Sequence, residues 1–538
     1  MPLPPKRPKD LENHAYGAEF RQAEATHLAS HKEMRSWVEV TQAHARGNKV
    51  LDCRWVYTYK FDKHGRFLQA KARLVVRGDQ QIRGVAENNY AATLAGRSFR
   101  TVMAIAARFD LELLQYDAVN AFVNAALDEE VYMRMPPGHR KPGTVLKLTK
   151  ALYGLRRSPL LWQRTLSQAL RKLGFKPVPH EPCAFAHKGI LIFFYVDDIV
   201  VAFRGTQRPE ALETMRQLGA RYQLTGGSAL KWFLGMEVLR DRKRRLIWLS
   251  QRAYIDKIAA LAGPGRGPTS PMAREELLPF EGIATRQEIT VYLRKVGSLL
   301  YAAVITRPDV AFAVSRLARF STNPGPQHQE AADRVLRYLQ RSSTLALQFG
   351  GENDLRVASD ASFADNSADR KSSQGLAIRL FGGLIAWRAN KQATVTTSTT
   401  EAELLALSQA TKEALFVSRL IRELGVTLDD ARLTVEVDNA QTIRLVTEDF
   451  ARLKTNLRHV DIHNHWLRQE YANGVVDVKY TKSAEMMADG LTKALTQEPF
   501  LRFREQLGLV DVGERLRARQ ELEDQEERKA RKGAPGSD

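Results

Sequence analysis

The sequence predicts a multidomain protein of mixed α+β and α/β class, and three observations support this. The chain has 538 residues, which at roughly 100–200 residues per domain allows three or four domains. Alternating apolar residues over 55–61 and a return run over 67–76 predict a pair of antiparallel strands. After residue 350, beyond a Gly- and Pro-rich stretch at Gly263–Pro271, strand and helix patterns alternate to about residue 495.

Composition limits the class of protein further. Lys and Arg number 81 against 61 Asp and Glu, so the net charge is +20, which suits a polyanion such as nucleic acid but also a soluble basic protein. The two cysteines, Cys53 and Cys183, are too few for a disulfide framework or a Cys-rich zinc site, and they predict a reducing compartment. The sequence contains no run of about 18 apolar residues, so no membrane span is predicted.

A pair of aspartates interrupts a strongly apolar run at Ile190–Phe203. Both flanks predict buried strands, so Asp197 and Asp198 fall at a hairpin turn. Asp is a common turn residue, which explains the pair without any further role. Two carboxylates beside a core also repel each other, and a hard cation such as Mg²⁺ would neutralise them.

Asp117 ends another apolar strand, ahead of a predicted helix. If this strand lies beside the hairpin, Asp117 and Asp197 could share two metal ions, as in sites that transfer phosphoryl groups. The alternative for Asp117 alone is a helix N-cap.

Four more carboxylates end apolar elements near the C-terminus. Asp360 and Asp438 end predicted strands, and Asp489 opens a last helical segment. Glu403 lies in the first turn of a predicted helix, in line with an apolar stripe that continues to residue 424. Glu401 does not lie in line with this stripe. We predict that it either compensates the helix dipole or lies on the surface. Each aspartate alone could be a cap.

Several short motifs surround the first group of acids and occur in a fixed order along the chain. Tyr195-Val-Asp-Asp198 resembles the catalytic signature of reverse transcriptases. The motifs around it are Trp55-Val-Tyr57, Lys71-Ala-Arg-Leu-Val-Val-Arg-Gly78, Leu127-Asp-Glu-Glu-Val-Tyr-Met133, Pro136-Pro-Gly138, Ala151-Leu-Tyr-Gly-Leu155, Ser158-Pro159, Phe233-Leu-Gly-Met-Glu237 and Leu249-Ser-Gln251. In this order they resemble the reverse transcriptase of copia-like (Pseudoviridae) LTR retrotransposons.

The resemblance implies a right-hand polymerase and a role for each matching residue. The metal carboxylates would be Asp117, Asp197 and Asp198, with Asp198 the least secure ligand. The nucleotide-binding residues would be Lys71, Arg73, Phe122, Tyr153 and Gly154, with Phe122 excluding the ribose 2′-hydroxyl. Tyr195 would flank the primer end.

The C-terminal region resembles the ribonuclease H domain of the same elements. The matching motifs are Ser359-Asp-Ala-Ser362, Arg370-Lys-Ser-Ser373, Ser398-Thr-Thr-Glu-Ala-Glu403, Val437-Asp-Asn-Ala440, His459-Val-Asp-Ile-His463 and Ala488-Asp-Gly-Leu-Thr-Lys-Ala-Leu495. The family's metal-binding acids fall on Asp360, Glu403, Asp438 and Asp489.

Two histidines in this region have alternative interpretations. His459 and His463 have the i, i+4 spacing of a helical zinc site, but no cysteine or third ligand accompanies them. The resemblance instead implies a histidine beside the ribonuclease H centre, and His459 is the candidate accessory residue.

The resemblance also sets the expected domain limits. They are an N-terminal extension at 1–49, fingers and palm at 50–225, thumb at 226–275, connection at 276–350, a ribonuclease H-like domain at 351–500 and a charged tail at 501–538. From Glu514 onward the tail is almost all charged, which predicts a frayed helix or disorder.

The implied activity is RNA-directed DNA synthesis with hydrolysis of RNA in RNA–DNA hybrids, using two Mg²⁺ ions per site, or Mn²⁺ in their place. The implied partners are an RNA template, a DNA primer, the RNA–DNA hybrid, deoxynucleoside triphosphates, and the integrase and capsid proteins of the same element. The expected location is the cytoplasm, in virus-like particles, with the nucleus as the alternative. A second hypothesis is an inactive remnant that only binds nucleic acid.

Overall fold

The computed structural model describes residues 1–61, 66–81, 89–352, 354–430, 432–448 and 461–532. They form two compact units. One comprises Met1–Leu94 and Glu112–Ala229, and the other comprises Ala95–Leu111 and Leu230–Asp538.

The elements are as follows, in chain order. The helices are α1 (Gly17–Glu33), α2 (Gly96–Arg108), α3 (Ser158–Lys172), α4 (Arg208–Gly219), α5 (Arg252–Ala259), α6 (Arg286–Ile305), α7 (Ala311–Ala318), α8 (Pro326–Arg341), α9 (Thr399–Glu423), α10 (Ala440–Thr447), α11 (Asp461–Ala472), α12 (Gln497–Gln506) and α13 (Gly513–Lys532). The strands are β1 (Trp37–Thr41), β2 (Val50–Leu51), β3 (Cys53–Phe61), β4 (Phe67–Val76), β5 (Glu112–Ala118), β6 (Ala126–Arg134), β7 (Thr144–Lys150), β8 (Lys176–Val178), β9 (Glu181–His187), β10 (Ile190–Tyr195), β11 (Asp198–Phe203), β12 (Leu224–Ala229), β13 (Trp232–Phe233), β14 (Met236–Asp241), β15 (Leu246–Ser250), β16 (Leu345–Phe349), β17 (Leu355–Ser362), β18 (Ser373–Leu380), β19 (Gly383–Lys391), β20 (Leu433–Val437), β21 (Val476–Tyr480) and β22 (Leu509–Asp511).

The first unit is built on a six-stranded sheet with the strand order β12-β5-β11-β10-β9-β8. Its strands β10 and β11 are apolar and buried for almost their whole length, as expected for strands covered on both faces. They pair as an antiparallel hairpin, which confirms the hairpin predicted around Asp197 and Asp198.

The antiparallel pair β3 and β4 forms a second layer of this unit. Trp55 and Tyr57 are buried, whereas Arg54 and Thr58 beside them are exposed, because successive strand residues face opposite sides. Phe20 of α1 joins the same hydrophobic core. The predicted strand pair is therefore confirmed, and α1 covers its apolar face. A four-stranded sheet of order β1-β7-β6-β2 completes the unit.

The second unit contains a mixed sheet of order β19-β18-β17-β20-β21. Strands β17, β18 and β19 are antiparallel, whereas β20 and β21 run parallel to β17. Helix α9 contacts this sheet, and Leu407, Ala410 and Ala414 of its predicted apolar stripe are fully buried.

A second five-stranded sheet, of order β13-β14-β15-β16-β22, crosses the predicted domain limits. Strands β14 and β15 belong to the predicted thumb, β16 to the predicted connection and β22 to the predicted tail. The exact limits of the thumb and connection therefore stay predictions.

Of the two alternatives for the charged tail, its described residues follow the helical one, with strand β22 ahead of helix α13. Strand β22 pairs with β16, and Leu516 of α13 is buried against Trp248. The charged residues of α13 find partners: Arg519 forms ion pairs with Glu237 and Glu523. A few apolar contacts and paired charges thus order a segment whose average composition resembles disorder.

Within the described ranges, no helix is both long and apolar enough to cross a membrane.

Candidate active sites

Three carboxylates meet at one end of the six-stranded sheet. Asp117 of β5 lies directly opposite Asp198 of β11, so both side chains leave the same face of the sheet. Asp197 occupies the turn between β10 and β11, after Val196, whose φ is +58°. The indole Nε1 of Trp162 donates to the Val196 carbonyl at 2.6 Å, which anchors this turn. The predicted neighbourhood of Asp117 and the hairpin is confirmed.

These carboxylates are electrostatically coupled. Burial, together with the charges of Asp197 and Asp117, raises the pKa of Asp198 to about 6. A hydrogen bond from Gln115 lowers this pKa and so opposes the increase. Gln115 Nε2 donates to Asp198 Oδ1 at 3.1 Å. Burial and the charge of Asp197 also raise the pKa of Asp117. Such mutual repulsion is relieved when a cation binds, so the donor set fits Mg²⁺.

The predicted nucleotide-binding side chains lie beside this group. The Arg73 guanidinium is 4.7 Å from the ring centroid of Tyr153, and the Phe122 and Tyr153 ring centroids are 4.6 Å apart. Lys71 is within electrostatic reach of Asp117, although burial lowers its pKa overall. The structure therefore brings two cations and two aromatic rings to the carboxylates. Tyr195, the predicted primer-flanking residue, is half-buried at the end of β10.

Gly154 approaches the backbone of β4 closely. Its φ is +97°, and a Cβ there would lie 2.0 Å from the Val76 carbonyl oxygen. The Val76 N–H also donates to the Tyr153 carbonyl at 2.8 Å. The segment Tyr153-Gly154 is therefore held directly against β4.

Substitution of Gly154 by Ala should therefore cost both stability and DNA synthesis. The strain of a positive φ, roughly 1–3 kcal/mol, adds to a direct clash with β4. Gly138 has a similar φ of +89° but open space around it, so Gly138→Ala is the matched control. Thermal unfolding and primer extension should show a clearly larger loss for Gly154→Ala. Equal losses in the two variants would contradict a specific role for the close approach.

A second carboxylate cluster forms in the other unit. Asp360 lies in β17, Asp438 directly follows β20, and Glu403 lies in the first turns of α9. Because β17 and β20 are parallel neighbours, the two aspartates reach the same edge of the sheet. One ligand oxygen from each of Asp360, Glu403 and Asp438 lies within 4.8 Å of the others. Among the described residues, this is the only such group of three, so the palm carboxylates are more widely spread.

Burial makes this cluster costly without a cation. It raises the pKa of Glu403 to about 9, with the charges of Asp360 and Asp438 adding to the effect. Burial raises the pKa of Asp360 to about 6, although the Thr492 hydroxyl donates to that carboxylate. Glu403 is only 3% exposed, and its Oε2 accepts no hydrogen bond. An unpartnered buried carboxylate oxygen beside two more carboxylates fits a divalent metal site.

Asp489, the fourth predicted ligand, lies at the margin of this cluster. It is half-buried and forms an ion pair with Lys493, and burial raises its pKa. Asp438 Oδ2 accepts from the Ser483 hydroxyl at 2.6 Å. Sequence reasoning missed Thr492, Lys493 and Ser483, although the first two lie within the matched motif that ends at Leu495.

Three sequence predictions near α9 have different outcomes. The surface alternative for Glu401 is wrong: this residue is 3% exposed and accepts hydrogen bonds from the backbone and hydroxyl of Thr397. Helix α9 is capped by Ser398, whose hydroxyl oxygen accepts the Glu401 N–H. His459 lies outside the described residues. His463 Nδ1 is 2.9 Å from Ser408 Oγ and joins no described metal-binding cluster.

A palm-like sheet with an aspartate hairpin and a separate ribonuclease H-like sheet define the reverse transcriptase class of fold. Residues 36–264 match the family model described as reverse transcriptase (RNA-dependent DNA polymerase). The chain belongs to the copia-like family of LTR retrotransposon reverse transcriptases.

Two relatives and one solved structure illustrate this membership. The chain is 32% identical over 482 residues to the Retrovirus-related Pol polyprotein from transposon TNT 1-94 of Nicotiana tabacum, covering 86% of this chain and 36% of that protein. It is 31% identical over 311 residues to a transposon Ty5-1 protein of Saccharomyces cerevisiae, covering 55% of this chain and 99% of that protein. The foamy viral protease-reverse transcriptase, solved in complex with dsDNA, shares the fold with a TM-score of 0.50 and 14% identity, covering 90% of this chain and 86% of that chain. The chain spans about a third of the length of the plant polyproteins that it matches.

Proposed function

We propose that the chain is an RNA-directed DNA polymerase that also hydrolyses RNA in RNA–DNA hybrids. The observation that carries this proposal is the pair of separate carboxylate groups, one in each compact unit, on residues that match the family motifs. No mapped acid is replaced by another residue type.

In the polymerase site, Asp117 and Asp197 would hold two Mg²⁺ ions, with Asp198 supporting them. When bound, these ions would activate the primer 3′-hydroxyl and stabilise the leaving pyrophosphate. Lys71 and Arg73 would neutralise the triphosphate. Phe122, packed against Tyr153, would fill the space that a ribose 2′-hydroxyl needs.

In the ribonuclease H site, Asp360, Glu403 and Asp438 would hold the ions, and Asp489 would join them. When bound, the ions would activate water and stabilise the departing 3′-oxygen of the cut RNA. Lys493, which pairs with Asp489, would compete with a cation for that carboxylate. Mn²⁺ would substitute for Mg²⁺, since both prefer oxygen ligands.

The proposed partners are an RNA template, a DNA primer, their hybrid and deoxynucleoside triphosphates. The net charge of +20 supports binding through phosphates, which makes affinity fall steeply with salt. The foamy viral relative in fold was solved with dsDNA, which supports a duplex partner. Association with the element's integrase and capsid, and location in cytoplasmic virus-like particles or the nucleus, remain proposals.

Two assays on the full chain test the function. The first is extension of oligo(dT) on poly(rA) with Mg²⁺ or Mn²⁺, and the second is release of labelled RNA from an RNA–DNA hybrid. We expect both activities, with only the first lost in Asp117→Asn and only the second lost in Asp360→Asn. A folded chain that binds the hybrid but has neither activity would overturn the proposal in favour of an inactive remnant.

A further inference from the structure

Helix α1 precedes the segment that matches the reverse transcriptase family model, which begins at residue 36. The sequence around it is polar and weakly patterned. In the structure, however, α1 packs along β4 and also reaches the loop after β5. These two segments carry the predicted nucleotide-binding residues Lys71, Arg73 and Phe122.

The first contact is made by His27. Its Nε2 accepts the backbone N–H of Leu74 at 3.1 Å, one residue after Arg73. Among the described residues β4 pairs only with β3, so this bond satisfies a backbone donor on its other edge. The ring of His27 also lies edge-on to Trp55, with centroids 5.8 Å apart. His27 therefore fixes β4 at the position of its two cations.

His31 holds the His27 ring in place. This is packing rather than a second hydrogen bond, because the single lone pair of His27 Nε2 already accepts the Leu74 N–H. The two rings meet edge-on with centroids 4.5 Å apart, and His31 Nδ1 is 2.8 Å from the Ser36 hydroxyl. His31 is 1% exposed and stacks on Trp37 with centroids 4.9 Å apart. A side chain this enclosed has few alternative rotamers, so the acceptor on His27 is well oriented.

The second contact is made by Ser30. Asn120 Nδ2 donates to Ser30 Oγ at 2.8 Å. Asn120 has a φ of +49° and precedes the short helix Ala121–Asn124 that carries Phe122. A positive φ is unfavourable for a residue other than Gly, so this backbone conformation must be stabilised by its surroundings. The hydrogen bond from the Asn120 side chain to α1 contributes to that stabilisation.

We propose that α1 is a positioning helix for the nucleotide pocket, with His27 setting the fingers strand and Ser30 setting the loop of Phe122. This inference rests on the proposed polymerase function. His27 and Ser30 are positioning residues, since both act through neighbours. The two contacts should therefore influence different properties: His27 the affinity for the triphosphate, and Ser30 the choice between deoxyribose and ribose.

The Ser30 contact is tested with Ser30→Ala and the conservative Ser30→Thr. Ala is the better helix former, so a purely structural role predicts no loss of stability. We expect Ser30→Ala to lower the preference for dNTP over rNTP by about fivefold, the value of one hydrogen bond, with kcat for dNTP within about twofold of wild type. Ser30→Thr keeps the hydroxyl and should restore the preference.

The His27 contact is tested with His27→Phe, which keeps a ring against Trp55, and His27→Gln, which keeps an acceptor. We expect His27→Phe to raise KM for dNTP by about fivefold without changing sugar selectivity, and His27→Gln to recover most of the affinity. Hydrogen exchange at Leu74 should accelerate in His27→Phe alone.

RNA cleavage by each preparation controls for global misfolding and for the amount of active chain, because its carboxylates lie in the other unit. Unchanged KM and selectivity in variants that still cleave RNA would overturn the inference while leaving the proposed function intact. A wild-type chain that cleaves RNA but makes no DNA would overturn the proposed polymerase function, and the inference with it.

Discussion

Replacement of Glu403 by Gln is expected to reduce release of RNA from an RNA–DNA hybrid by roughly a thousandfold or more. Glu403 is buried, and its ligand oxygen lies within 4.8 Å of those of Asp360 and Asp438. Glutamine keeps the size of the side chain but removes the charge that a divalent metal needs. DNA synthesis should continue, because Asp117 and Asp197 belong to the other compact unit.

The same substitution should stabilise the metal-free protein. Burial, then the charges of Asp360 and Asp438, raise the pKa of Glu403 from 4.5 to about 9. A carboxyl whose pKa is higher in the folded than in the unfolded chain destabilises the fold above pH 4.5, and the loss grows as the pH rises toward 9. In chelator, the wild-type melting temperature should therefore fall more steeply with rising pH than that of Glu403→Gln. Added Mg²⁺ should stabilise the wild type more than the variant.

Glu401→Gln provides the matched control for this experiment. Glu401 is as buried as Glu403 and lies two residues earlier on α9, but its carboxylate accepts from Thr397 rather than facing the cluster. Glutamine can still accept these bonds, so RNA cleavage should stay within about twofold of wild type. If Glu403→Gln cleaved RNA as well as Glu401→Gln does, the ribonuclease H assignment would be wrong.

The acids of both sites were predictable because each of them interrupts or ends an apolar element. Asp117, Asp360 and Asp438 lie at the ends of apolar strand segments. Such a position can be recognised from the few residues that precede it in the sequence. Helical periodicity placed Glu403 in line with the buried face of its helix, and the family resemblance implied its metal-binding role. Local pattern thus placed several carboxylates beside a core, but it misassigned the equally buried Glu401 and cannot supply the distances between the acids.

Contacts between residues distant in sequence were not predictable in this way. The burial of Leu516 against Trp248 orders a segment that charge composition assigned to disorder. The hydrogen bond from the Leu74 N–H to His27 holds the polar N-terminal helix α1 beside β4. Neither partner carries a local pattern that indicates the other, because the pairing arises only from the tertiary fold.

The other large effect is expected in the palm. Asp197→Asn should lower DNA synthesis by roughly a thousandfold or more. Burial, with the charge of Asp197 added, raises the pKa of Asp117 and Asp198, and the charges of Asp117 and Asp197 both act on Lys71. Loss of the Asp197 charge therefore removes an interaction with Lys71 and with each of the other two carboxylates. Asparagine is tolerated in turns, and Trp162 anchors this one through Val196, so the hairpin should survive the substitution.

Asp198→Asn is the informative comparison, because Asp198 Oδ1 already accepts from Gln115 at 3.1 Å. A carboxylate committed to that bond contributes less to a metal site, so primer extension should fall less than in Asp197→Asn. Glu213→Gln, on the exposed helix α4, controls for the loss of one negative charge. Synthesis retained in Asp197→Asn but lost in Asp198→Asn would reverse the assignment of the two aspartates. Because RNA cleavage depends on Asp360, Glu403 and Asp438, each palm variant should still release RNA at the wild-type rate, so a misfolded preparation is recognised by the loss of both activities.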